Sequence, residues 1–116
     1  LDIFNKIDLK HCNNASNYWV AEISDGIGQR ETAILLNSED VKSRIDTLIF
    51  AAGDAFGAIG GLKVLKERFG LEPDAISGVC SSSPLHIREL ESHTNIPVFN
   101  SAAPDLKLLA DVLLKR

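Results

Sequence analysis

Residues 47–52 (TLIFAA) form a continuous apolar run of β-strand length that stops at Gly53. A run apolar on both of its alternating faces has to be covered on both sides, as a central strand of a parallel sheet is. The residues after it change period. Across 56–69 the apolar positions Ile59, Leu62, Leu65 and Phe69 recur at spacings of three and four, with Lys63, Lys66, Glu67 and Arg68 between them, and Gly70 supplies a stop. That spacing predicts an amphipathic helix. The unit then recurs: a strand over 74–80, a turn over 81–84 and a helix over 85–92, with Pro84 at its first position and Ser83 as its N-cap. A short strand over 96–99 follows. Pro104 opens a last helix, in which Leu106, Leu109 and Leu113 share a face flanked by Leu108 and Val112.

The first half is less regular. Residues 18–23 (YWVAEI) read as a strand ending at a turn over 25–28. Residues 29–44 read as mostly helical, with a break at Asn37 and Ser38, because Ser38 ahead of Glu39 and Asp40 has the form of a helix start. Before Tyr18, the crowding of Asn13, Asn14, Ser16 and Asn17 predicts a loop after a short element of undetermined type. Alternating strands and helices require parallel strands joined by right-handed crossovers. The expected fold is therefore α/β: a three-layer, Rossmann-like parallel sheet of about four strands with helices on both faces. A length of 116 residues and a 45% hydrophobic content suit one domain over 1–116. The chain has no Met and starts abruptly at Leu1, which suggests a fragment of a longer chain with a further domain before it.

Composition narrows the partners. The net charge of -4 is scattered along the chain with no block of like charges, so the basic footprint of a nucleic-acid binder is missing. No apolar run approaches the roughly 18 residues of a membrane span, and no charged-then-apolar leader opens the chain. Cys12 and Cys80 stand far apart, outside any CxxC pair or Cys/His cluster with metal spacing. No metal, no cofactor, no membrane and no nucleic acid are expected, and a reducing, cytoplasmic setting is the default.

Ligands of open parallel sheets bind outside the carboxyl ends of the strands, where helix N-termini present unpaired N–H groups and partial positive charge. That rule selects four segments: Asp25 and Gly26; Gly53, Asp54 and Gly57; Cys80, Ser81, Ser82 and Ser83; and Asn100 with Ser101. The glycines at 53–61 fit neither GxGxxG, since Ala55 takes a glycine position, nor the phosphate loop ending in Lys and a hydroxyl. Gly57, Gly60 and Gly61 serve equally well for tight helix-on-sheet packing. The serines at 81–83 bring hydroxyls to a helix start that suits a carboxylate or phosphate, and a thiol there would have its pKa lowered by the helix end. In the plainer account Cys80 is a small buried residue and Ser83 an ordinary cap. His86 and Arg88 lie within reach of the same helix start, or simply on its solvent side. Asp25 and Asp54 offer carboxylates to a hydroxyl, amine or metal, or serve as caps or turn formers. His11 and His93 have no partner at ligand spacing.

Two resemblances rest on these residues. Residues 74–84, with the strand end Cys80-Ser81, and residues 96–101 resemble one half of the aspartate/glutamate racemase superfamily. That implies a racemase or isomerase with Cys80 as acid/base and the second such group supplied by another chain. The stretch 53–101, especially Ser83 to Glu89 (SPLHIRE) and Pro97 to Ser101 (PVFNS), is similar to the domain that follows an ACT domain in some archaeal regulatory proteins, which implies a regulatory, small-molecule-responsive module. Only one reactive group is visible where an enzyme needs a pair. The favoured expectation is therefore a non-catalytic regulatory domain that binds a small anionic ligand, such as an amino acid or dicarboxylate. The other readings are a Cys80 enzyme, and a homo-oligomerisation unit using the last helix or Tyr18 and Trp19.

Overall fold

The structure, a computed structural model, describes residues 19–23 and 26–115. Helices α1 (Arg30–Asn37) and α2 (Glu39–Lys42) lead to strand β1 (Ile49–Ala51) and helix α3 (Ala55–Val64), which runs on through a π-helical turn, Leu65–Phe69. Strand β2 (Ala75–Ser77), a 3-10 turn (Val79–Ser81) and helices α4 (Pro84–Glu91) and α5 (Leu106–Leu113) complete it.

The local signals explain most boundaries. Ser38 separates α1 from α2 by capping the second, its hydroxyl accepting from the Val41 amide. Ser83 caps α4 and Pro84 holds its first position, as expected. Gly70, at φ 66, stops the long helix in the left-handed conformation that L residues disfavour. Its amide donates to the Lys66 carbonyl and that of Leu71 to Leu65. The last helix begins later than expected. Asp105, not Pro104, is its cap, because the Asp105 carboxylate takes the amides of both Lys107 and Leu108.

The sheet is a parallel pair, Ile49, Phe50 and Ala51 facing Ala75, Ile76 and Ser77. Of the four expected strands, these two form. Residues 96–99 contribute a single parallel bridge, Val98 to Ile76, with Ile76 donating to the Pro97 carbonyl and accepting from the Phe99 amide. Residues 19–23 form no strand, and Val20 is 89% exposed. A strand exists only through its ladder, and an apolar stretch without a neighbour is not enough. The α/β class stands, as a mixed structure around a small parallel sheet; three layers around a four-stranded sheet are not present among the described residues.

One face of the sheet is well covered. Ile76 joins Ala55 and Ala58 of α3, Leu90 of α4 and Val98 in one core cluster. On the same face Phe50 packs against a second cluster of Leu36, Leu65 and Phe69. On the other face Ala75 is buried, yet Ile49 is 40% exposed and α5 buries none of its residues. The end of α5 is tethered to the amino ends of the strands, where the Thr47 hydroxyl donates to the Leu113 carbonyl and Lys115 pairs with Asp74 at 2.7 Å. Burial alone would raise the Asp74 pKa, but the hydrogen bonds from Lys115 and the Leu48 amide, with the Lys115 charge, hold it below its ordinary value.

Gly61 marks the closest approach of α3 to β1: a Cβ there would overlap the Phe50 ring. Gly61→Ala is expected to cost about 1–3 kcal/mol by overpacking, read from urea denaturation. In the Phe50→Leu background the cost should shrink, and additive losses would show that the ring is not what the methyl meets.

Candidate functional site

The carboxyl ends of β1 and β2 are drawn together by Gly78. At φ 97 it turns the chain out of the strand, so that the Cys80 amide donates to the Ala52 carbonyl at 3.0 Å. The Gly78 carbonyl accepts the Ser81 hydroxyl at 3.2 Å and the Ser101 hydroxyl at 2.6 Å. The Ser101 amide donates in turn to the Ser81 carbonyl at 3.0 Å. Three of the four segments selected from the sequence therefore meet at one edge: 53–57, 80–83 and 100–101. Asp25 lies outside the described residues. Gly26 is exposed, its carbonyl accepting the Gln29 amide in the turn before α1.

The polar groups at this edge are largely engaged with the chain itself. Ser81 is fully buried. The Asp54 carboxylate caps α3, accepting the Gly57 amide at 2.6 Å, so a negative charge already occupies that helix start. Asn100 accepts from the amides of Ala102 and Ala103. Ser83 caps α4 through the His86 amide. What remains open is the exposed backbone at Gly53, the exposed Ser82, and the first turn of α4, whose Leu85 N–H has no intrahelical acceptor. His86 and Arg88 are exposed on α4.

Cys80 departs from the expectation of a lowered pKa. It sits in the 3-10 turn ahead of the α4 cap, 1% exposed, its Sγ–H donating to the Ser77 carbonyl at 3.2 Å. Burial pushes the thiol pKa up, the charge of Asp54 adds to that push, and the nearby amides offset it only in part. A buried, protonated thiol is the wrong state for a nucleophile or base. In a Cys12→Ser background, Cys80 should resist a chromogenic thiol reagent at neutral pH until the protein is unfolded. Labelling of the folded protein at the rate of a free thiol would contradict the burial.

The sequence did not point to the amino ends of the strands, yet a concave surface is there. A shallow cleft of about 660 Å³ lies between the loop carrying Glu72 and Asp74 and the loop carrying His93 and Thr94. It continues into a groove of about 240 Å³ against α3 at Leu62, Lys63 and Lys66. His93 and these lysines read as solvated residues in the sequence. A usable signal was topological: in a strand–helix repeat, every helix-to-strand loop returns to the amino edge, so loops 70–74 and 92–97 had to be neighbours.

Among the described residues no cluster of three His, Cys, Asp or Glu side chains suits a metal ion, and no helix is long and apolar enough to cross a membrane. No family model, curated protein or solved structure matches the chain.

Proposed function

We propose that this domain is a non-catalytic, small-molecule-binding regulatory module of Rossmann-like type, taking a small anionic ligand at the carboxyl edge of its sheet. The observation that carries the reading is the junction at Gly78, whose carbonyl ties together the 78–83 and 100–101 loops beside Ala52 and Gly53. In this reading β1 and β2, with the Val98 bridge, are the centre of a fuller sheet of about four strands in three layers. The ligand's carboxylate approaches Ser82 and the first turn of α4. Asp54 favours an amino acid over a dicarboxylate that lacks an ammonium group, since its charge attracts that group. The resemblance to the domain that follows an ACT domain agrees with a regulatory role. The racemase reading is the weaker one, because Cys80 is buried and protonated.

The test is an NMR chemical-shift titration with glutamate, aspartate and succinate. Saturable shifts at residues 53–57 and 81–86 are expected, strongest for the amino acids. Ser82→Asp with Ser83→Asp should abolish them without unfolding α4, because aspartate is as good an N-cap as serine and only the added charge repels the ligand. Unchanged binding in that variant would remove the site. A flat response across the panel would favour an oligomerisation unit, for which α5, with Leu106 74% exposed, is the candidate surface.

A further inference from the structure

The groove along α3 has an apolar floor, Ile59, Leu62, Leu71 and Ile96, between charges of opposite sign. Lys63 and Lys66 stand on the α3 side and Glu72 on the loop side, all three exposed and with no ion pair among the described residues. Opposite charges that share one groove without neutralising each other present complementary ends to a zwitterion. His93 lines the groove on the same loop side as Glu72. The His93 Nδ1 lies 2.9 Å from both the Glu89 carbonyl oxygen and the Ser92 hydroxyl, contacts that hold the ring at the groove. Lys66 itself belongs to the π-helical turn, a departure from α-helix that often accompanies binding sites.

We infer that this groove is a second binding site, for an apolar α-amino acid such as leucine. Its carboxylate pairs with Lys63 and Lys66, its ammonium group with Glu72, and its side chain lies on Leu62, Leu71 and Ile96. The site is independent of the carboxyl-edge reading, since the two share no residue and sit at opposite ends of the strands.

The test is a titration of the whole chain with leucine, followed by amide chemical shifts, with N-acetyl-leucine and leucinamide as probes that each lack one charge. Leucine should give saturable shifts at 59–66, 71–74 and 93–97. Each blocked analogue should bind about fivefold more weakly, the share of one exposed charge pair. Lys63→Glu with Lys66→Glu, and separately Glu72→Lys, should weaken leucine by at least that factor, and neither replaces a buried residue. Absence of saturable shifts, shifts confined to 53–57 and 81–86, or equal binding of leucine and both analogues would each overturn the proposal. Glutamate binding at the carboxyl edge is read on different amides, so its success or failure is scored separately.

Discussion

Replacing Gly78 with alanine is expected to cost about 2–5 kcal/mol, a large part of the roughly 5–15 kcal/mol that holds a domain folded. Two effects add. At φ 97 the backbone lies where an L side chain is strained, worth about 1–3 kcal/mol. A Cβ there would also stand 2.7 Å from the Ala52 carbonyl oxygen and 2.9 Å from its nitrogen. Those neighbours are backbone atoms of the adjoining strand end and cannot rotate away, so β1 and β2 must part where the Cys80 amide reaches Ala52. Urea denaturation followed by circular dichroism measures the loss. A variant within 1 kcal/mol of the parent would show that the turn at 78 is not as described. Because the Gly78 carbonyl also holds Ser81 and Ser101, the proposed function requires any folded fraction to bind an anionic ligand more weakly at the carboxyl edge.

Ile76→Ala should cost about 2–5 kcal/mol by a different route, the loss of buried contacts and the cavity left behind. Ile76 is fully buried where three layers of contact meet: α3 through Ala55 and Ala58, α4 through Leu90, and the 96–99 segment through Val98. Its buried neighbours on α3 are alanines, with Ile59 and Leu62 of the same helix packed against the cluster. Ile76→Val removes one methylene and should cost only about 0.5–1.5 kcal/mol. Hydrogen exchange supplies a second readout. The Ile76 and Phe99 amides, bonded to Pro97 and Ile76 carbonyls, should lose protection together, because one side chain clamps both bonds. If the Phe99 amide kept its protection in the alanine variant, the bridge would be standing without this core contact.

The two substitutions separate what the chain encodes locally from what it encodes through contact. Period and punctuation located β1, α3, β2, α4 and α5 to within a few residues, because a helix face, an N-capping serine or a stopping glycine acts through neighbours in sequence. Ser38, Ser83 and Gly70 are of this kind. The failures share one cause. The apolar stretch at 19–23 made no strand and 96–99 made a single bridge, since ladders depend on a partner strand that sequence pattern cannot supply. The junction of the 80–83 and 100–101 loops was legible in outline, from the rule that strand ends gather on one edge. The spending of their hydroxyls on one carbonyl was not.

Cys80 shows the division most clearly. Its position after an apolar strand and before a capped helix was readable, and it suggested an activated thiol. Whether that thiol faces the helix start or the interior depends on the left-handed turn at Gly78, which sends the chain through a 3-10 turn and buries the sulfur. The sequence by itself determined the α/β class, the order of the elements that form and the caps at Ser38 and Ser83, because these follow from side-chain period and short-range hydrogen bonds. Only the tertiary structure decided which strands pair, which hydroxyls stay open, and that a cleft opens at the amino edge, because each depends on contacts between residues far apart in the chain.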